Sequence, residues 1–190
     1  MKRREAIKNL MLFTGGTILF SAGLLAGCNS PAGRTFISKQ DIYFLDEIGE
    51  TIIPTTARCG GAKAAKIGLY MKMMVNKCIT NEERLIFLEG LKKIEDAAVE
   101  KYRVEFLSMN SDQKKELFLN IQLEAEKYKK ENTSKPSAPI HYFQLLKDLI
   151  VKGYFTSEIG ATEARRYEAI PTRYIGCINY KKGDRVWATS

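Results

Sequence analysis

The chain lacks the short motifs that mark most cofactor and metal sites. It contains no G-x-G-x-x-G fingerprint, no Walker loop, no H-E-x-x-H, no G-x-S-x-G and no C-x-x-C-H, so the common dinucleotide, nucleotide, zinc, serine-hydrolase and haem sites are not indicated. Its one histidine, His141, follows Pro139 at a predicted helix start, where a capping or solvated role is typical. The sequence therefore predicts no catalytic, cofactor-binding or metal-binding residue, and a chain that is not itself an enzyme.

Cysteine is also scarce. The four cysteines form no C-x-x-C pair, which argues against a zinc ribbon or a dithiol redox centre. Apart from Cys28, which is treated below, the chain has Cys59, Cys78 and Cys177. Two of these three can pair in an oxidising compartment, or all three can remain buried thiols. The spacing does not choose between these alternatives.

A concentrated block of one charge is absent as well. Lysine and arginine total 30 against 22 acidic residues, a formal charge of +8, but part of this excess belongs to the first residues. Elsewhere Lys and Glu alternate along helical stretches, which is typical of solvated faces. Nucleic-acid binding requires a basic stripe, so the sequence predicts no nucleic-acid partner.

Only one long apolar run is present, and it lies at the N-terminus. The charged start "MKRREAIK" precedes an uncharged stretch over residues 10–27, which ends in "LLAGC". A charged start, an apolar middle and a small-residue end describe a secretory signal. The adjacent Arg3 and Arg4 resemble a twin-arginine export signal. The ending resembles a lipobox, in which the thiol of Cys28 receives the lipid and the chain is cut before it.

The N-terminal pattern sets the predicted organisation of the chain. We expect a twin-arginine-type lipoprotein signal peptide over residues 1–27, a lipidated tether over 28–38 and one helical domain over 39–190. The alternative is an uncleaved anchor helix, although the four glycines of residues 10–27 disfavour a regular helix. The expected mature protein is exported, faces the periplasm and is attached to the membrane through lipid on Cys28.

Apolar residues recur at helical spacing through most of the predicted domain. The spacing predicts five helices. The first ends at Pro54, and the second covers residues 62–79 with Leu69 and Met73 on its apolar face. The third is capped by Thr80 and continues to about residue 108, the fourth is capped by Ser111, and the fifth extends from Pro139 to Gly153. No alternation long enough for a sheet is present. The predicted fold is an all-α bundle of about five helices with an irregular, aromatic-rich C-terminal arm.

The last residues have a different composition. After a short predicted helix near residues 157–167, extended chain is expected. Trp187 and the tyrosines at 154, 167, 174 and 180 accompany four arginines, at 165, 166, 173 and 185. This composition is typical of a protein interface, and it equally fits a tail that packs onto its own bundle.

Three segments resemble the gluconate 2-dehydrogenase subunit 3 family. They are "LDEIGETIIPTT" (residues 45–56), "GAKAAKIGLYM" (61–71) and "FQLLKDLIVKGYFTSEIGATEARRYEAIPTRYIGC" (143–177). The most specific part is "GYFTSEIG" followed by "IPTRYIGC", whereas residues 80–135 carry little that is distinctive. Members of this family are small accessory subunits of membrane-bound flavin dehydrogenases.

The resemblance implies a role and partners. A large subunit of the glucose–methanol–choline oxidoreductase type holds FAD and oxidises a sugar or sugar acid, and in such complexes a cytochrome c subunit often takes the electrons. The small subunit binds no cofactor, stabilises the flavin subunit and assists its export in folded form. Substrate identity belongs to the large subunit, so "gluconate" is here a family label. The alternative is a stand-alone lipid-anchored binding or scaffold lipoprotein.

The segments that carry the resemblance also supply the expected partner-binding residues, unless their glycines and proline only set turns. These are Pro54, Thr55, Thr56, Gly61, Lys63, Tyr154, Phe155, Thr156, Ser157, Glu158, Gly160, Arg173, Tyr174 and Gly176.

Overall fold

A computed structural model describes residues 35–135, 138–170, 172–173 and 175–188. Arg3, Arg4, Cys28 and Tyr174 lie outside the described residues. The described chain contains five α-helices, and these are α1 (Asp41–Ile52), α2 (Ile67–Lys77), α3 (Asn81–Tyr102), α4 (Ser111–Glu131) and α5 (Tyr142–Thr156). A 3-10 turn (Phe106–Ser108) and a π-helical turn (Gly160–Ala164) complete the regular structure, and no strand occurs in these ranges. The prediction of an all-α fold with about five helices is confirmed.

Helix α5 is the central element of the bundle, because it packs against α2, α3 and α4. More than half of its residues are buried, because apolar residues predominate in the stretch "LLKDLIVKGYF". A chain of aromatic rings crosses the core from α1 through the 3-10 turn and α4 to α5. Its centroids are 5.3 Å apart for Phe44 and Phe106, 5.7 Å for Phe106 and Phe118, and 5.7 Å for Phe118 and Phe143. These contacts fix the turn between α3 and α4 to the rest of the core.

Side-chain caps define three helix starts. Thr80 and Glu83 form a reciprocal capping box at α3, as predicted from Thr80. At α4 the cap is Asn110, which pairs with Gln113, so the predicted Ser111 cap is wrong by one residue. At α5, His141 Nδ1 accepts a hydrogen bond from the Phe143 N–H at 3.3 Å, which confirms the capping role of the histidine.

Two predicted helix ends are wrong. The third helix ends at Tyr102 and does not continue to residue 108, because Arg103 has a left-handed backbone conformation with φ 62°. Gly153 does not end α5, which continues to Thr156. Gly153 is instead a contact point, since a Cβ there would lie 2.6 Å from Cε1 of Tyr70 on α2.

The apolar face predicted for α2 is also wrong. Leu69 and Met73 are each 56% exposed, whereas Ile67, Met71 and Val75 are fully buried. Both sets have helical spacing, so periodicity alone does not say which one faces the core. Within the described ranges, no helix is both long and apolar enough to cross a bilayer.

Candidate partner-binding site

The loop between α1 and α2 is held by the carboxylate of Glu50. This carboxylate accepts hydrogen bonds from the N–H of Thr55 at 2.7 Å and from the N–H of Lys63 at 3.0 Å. The N–H of Gly61 donates to Thr55 Oγ1 at 3.0 Å. A Cβ at Gly61 would lie 2.5 Å from Thr55 N and 2.7 Å from Glu50 Oε1, so only glycine fits here. Burial favours a higher pKa for Glu50, but the hydrogen bonds from Thr55 and Lys63 leave the pKa below its usual value.

Two further carboxylates of α1 face the same region. Glu47 pairs with Lys63 and, at 3.0 Å, with the nearly buried Nζ of Lys114 on α4. The hydrogen bond from Lys63 holds the pKa of Glu47 below its usual value, and Lys114 adds to this effect. Asp46 accepts from the N–H of Gly68 at 2.7 Å, at the start of α2, while its burial raises its pKa. The last turns of α1 therefore fix the loop and the beginning of α2.

The same loop contacts the end of α5. The hydroxyl of Tyr154 donates to the carbonyl of Gly60 at 2.6 Å and lies 3.7 Å from Cys59 Sγ. The N–H of Gly60 donates to Glu163 Oε2 at 2.8 Å. Burial, together with the bond to Cys59, raises the pKa of Tyr154 to about 12. Segments almost 100 residues apart in the chain are thus joined, and we call residues 53–66 with 154–164 the loop junction.

The chain turns sharply after α5. Ser157 Oγ donates to the Tyr154 carbonyl at 2.7 Å and accepts from the Gly160 N–H at 3.1 Å. A Cβ at Gly160 would lie 2.7 Å from the carbonyl carbon of Tyr154, so glycine is required for this turn. The guanidinium of Arg165 stacks over the Phe155 ring at 4.5 Å. These contacts set the direction of the chain as it leaves the bundle.

The structure divides the predicted partner-binding residues into three groups. Gly61, Tyr154 and Gly160 are buried within the loop junction, and Phe155 and Ser157 are half-buried there. The exposed members of the junction are Pro54, Thr55, Thr56, Lys63, Thr156 and Glu158. Arg173 and Gly176 are exposed farther along the chain, and no hydrogen bond or ion pair joins them to the junction in the described structure. For all of these predicted residues, contact with a partner protein stays a prediction.

Sequence reasoning missed the residues that hold the junction together. Glu50, Glu163, Cys59 and Gly60 form hydrogen bonds that hold the junction together. One signal was available for Glu50, since an acidic residue one turn before a helix-ending proline can cap the loop that follows. Glu163 lies far away in the chain and offered no such signal.

Pro54 and Thr55 also line a small cleft between α1 and α4. It has a volume of about 210 Å³, and Glu47, Glu50 and Lys114 contribute to its wall. The cleft is polar, and its carboxylates already accept hydrogen bonds from the chain. It has room for a side chain of a partner.

A second groove, of about 460 Å³, lies between α3 and α4 beside His141. Lys93, Glu124 and Tyr128 line it, and Glu124 Oε1 lies 4.0 Å from His141 Nε2. Burial lowers the pKa of His141. Because Nδ1 caps α5, protonation of this nitrogen would remove the cap. Among the described residues, no group of three or more His, Cys, Asp or Glu side chains is arranged to hold a metal ion.

The three cysteines of the described chain are free thiols. Cys59 is half-buried in the junction, and Cys78 and Cys177 are exposed. The sequence left a disulfide among them open, and none is formed in this structure.

Fold and site together describe a small all-α protein whose most distinctive residues fix a loop against the end of its central helix. The family model for gluconate 2-dehydrogenase subunit 3 matches residues 39–171. The chain belongs to this family, as its sequence motifs predicted, and the family name indicates an accessory subunit that associates with other subunits of a dehydrogenase. Searches of curated proteins and of solved structures gave no match.

Proposed function

We propose that this chain is a non-catalytic small subunit of an exported, flavin-dependent dehydrogenase of the glucose–methanol–choline type. The observation that carries the proposal is membership of a family of dehydrogenase subunits across residues 39–171. In the proposed complex the large subunit holds FAD and oxidises a sugar or sugar acid, and this chain binds no cofactor. A cytochrome c subunit is the proposed electron acceptor.

The loop junction is a suitable surface for such a subunit. Its exposed residues Pro54, Thr55 and Thr56 stand on a loop that Glu50 and Tyr154 fix from two sides. A loop that is already ordered loses little conformational freedom on binding, which favours affinity. The adjacent cleft between α1 and α4 adds a concave feature to this surface.

The proposal extends to export and attachment. A flavoprotein acquires FAD in the cytoplasm and must therefore cross the membrane folded. One twin-arginine signal, here Arg3 and Arg4, serves both subunits if they bind before export. Lipid on Cys28 then attaches the complex to the membrane with the helical domain in the periplasm.

The experiment is affinity purification of the tagged, full-length chain from detergent-solubilised native membranes. We expect a stoichiometric partner, identified by mass spectrometry, with the absorbance spectrum of bound flavin in the eluate. A solitary, colourless chain would contradict the subunit proposal and favour a stand-alone lipid-anchored binding or scaffold lipoprotein.

Export has its own test. In the Arg3→Lys, Arg4→Lys variant, the flavin subunit should accumulate in the cytoplasm. Lysine keeps the positive charge at both positions, so this result would be due to loss of the arginine pair and not to loss of charge. In the Cys28→Ala variant, the complex should form but leave the membrane fraction. Unchanged fractionation in either variant would contradict that part of the proposal.

A further inference from the structure

The described residues of the stretch 167–186 belong to a loop that is closed at its base, and we call this stretch the C-terminal loop. The N–H of Arg166 donates to the Val186 carbonyl at 2.9 Å, and the N–H of Ala188 donates to the Arg166 carbonyl at 2.8 Å. The Arg166 guanidinium lies 4.1 Å from the centre of the Trp187 ring. Backbone and side-chain contacts therefore bring the two ends of the loop together.

Two further contacts order the loop near its second end. Arg185 Nη1 donates to the Glu163 carbonyl at 2.7 Å, which ties the loop to the π-helical turn. The N–H of Lys181 donates to Asp184 Oδ2 at 2.8 Å, across a turn in which Gly183 has φ 99°. The positive φ requires glycine or a strained residue. This end of the loop thus has a defined shape.

Apolar side chains of the C-terminal loop are exposed in unusual number. Six large ones are between 50% and 78% exposed, and these are Tyr167, Ile170, Ile175, Ile178, Tyr180 and Val186. Single exposed apolar residues are normal on a protein surface, whereas contiguous exposed apolar patches mark interaction sites. Six such residues within one 20-residue loop favour the second description. The loop therefore has the composition of a contact surface without a covering element in the described chain.

The charge of the same region is positive. Residues 167–186 contain four basic and two acidic side chains, a formal charge of +2. Within the described structure, the side chains of Arg173, Lys181 and Lys182 have no ion pair. A partner surface with acidic groups around an apolar groove would complement both properties of the loop.

We propose that the C-terminal loop is the docking element that inserts into an apolar groove with an acidic rim on the flavin subunit. This inference rests on the proposed function. The family match ends at residue 171, so most of the loop lies beyond the matched residues. Tyrosine and arginine, which the loop contains, are the residues that contribute most at protein interfaces.

A protein groove suits this loop better than a lipid surface does. The apolar residues are spread from position 167 to position 186, and Arg173, Lys181, Lys182 and Asp184 lie among them. Insertion of all the apolar side chains into a bilayer would carry charged ones toward the hydrocarbon, which is costly. A protein groove can offer acidic partners at those positions.

The test compares two double variants of the full-length chain. Ile175→Glu with Ile178→Glu changes the loop, where these residues are 54% and 57% exposed. Leu119→Glu with Leu123→Glu is the matched control on α4, where the leucines are 63% and 65% exposed. Both pairs add the same charge to exposed apolar positions, so both variants should keep the wild-type melting temperature.

Affinity for the purified flavin subunit is the first measurement. We expect the loop variant to bind at least about 30-fold more weakly, as for loss of an interface hot spot, and the α4 control to bind like the wild type. Lys181→Glu with Lys182→Glu should also weaken binding and reduce its salt dependence. Lys129→Glu with Lys130→Glu, at another exposed adjacent lysine pair, is the control for that variant.

The other outcomes are distinguishable. If wild type, loop variant and control bind the flavin subunit equally, the docking proposal is overturned and the proposed function stands. If the wild type retains no flavoprotein at all, both fail. If the loop variant keeps the flavin subunit but loses binding to vesicles of phosphatidylethanolamine and phosphatidylglycerol, the loop is a membrane contact and the docking proposal is wrong.

Discussion

The loop junction and the C-terminal loop have similar compositions but opposite surroundings. Both contain glycines and tyrosine, and both contributed to the resemblance on which partner-binding residues were chosen. In the junction, Gly61, Gly160 and Tyr154 are buried. Tyr154 donates to the Gly60 carbonyl, and the Gly60 N–H donates to Glu163. In the C-terminal loop, Ile170 and Tyr180 are 78% and 76% exposed. Similar residue types thus serve packing in one region and leave a contact surface in the other.

The largest expected difference between the two regions concerns glycine. Gly160→Ala places a methyl group against the backbone of Tyr154 and Phe155, at 2.7 Å and 3.0 Å, and backbone atoms have little freedom to move. We expect a loss of about 3 kcal/mol in the free energy of unfolding, measured by urea denaturation. Gly183→Ala is the control, since nothing lies within 4 Å and only its φ of 99° opposes alanine. That variant should lose about 1–2 kcal/mol, and equal losses in the two variants would remove the distinction between the regions.

Tyrosine hydroxyls give the next largest effect. Tyr154→Phe removes the donor to the Gly60 carbonyl and leaves that partly buried acceptor unsatisfied. The expected cost is about 1–2 kcal/mol in thermal unfolding. Tyr180→Phe, at a side chain that is 76% exposed, should change the melting temperature little. A neutral Tyr154→Phe variant would mean that the junction is not held by this bond.

Within the bundle, His141 makes stability depend on pH. Burial lowers its pKa below the ordinary value of 6.5, with Lys93 contributing in the same direction and Glu124 opposing. The unfolded chain therefore binds a proton more readily than the folded one, so stability should fall as the pH drops below about 6.5 toward the lower folded pKa.

The measurement is the melting temperature between weakly acidic and neutral pH. His141 is the only histidine, so His141→Asn, which keeps an acceptor at the cap position, should remove the dependence in this window. The dependence would be attributable to other groups if it persisted in the variant.

The sequence was a good guide to the bundle and a poor guide to the junction. Helix number, the Thr80 cap, the His141 cap and the end of α1 shortly before Pro54 follow from local signals within a few residues. The buried face of α2 did not, because both Leu69–Met73 and Met71–Val75 have helical spacing and only the neighbouring helices distinguish them. Gly153 looked like a helix end, and its actual role depends on Tyr70, more than 80 residues earlier in the chain. Local rules succeed where the partner is nearby in sequence, and the junction is built from distant partners.

The smallest expected effect tests whether the C-terminal loop and the bundle unfold together. Trp187 is the only tryptophan and lies against Arg166 at the loop base, so its fluorescence reports on loop closure alone. Arg166→Ala should cost the loop about 0.5–1 kcal/mol and shift the Trp187 emission toward that of exposed tryptophan. The helical signal in far-ultraviolet circular dichroism should then melt as in the wild type. Arg173→Ala, at an exposed residue of the same loop, should leave both signals unchanged.

If Arg166→Ala lowers the helical transition as much as Tyr154→Phe does, the loop belongs to the cooperative unit of the bundle. If only the Trp187 signal responds, the bundle is stable without a closed loop, and the loop is free to change its contacts when a partner binds.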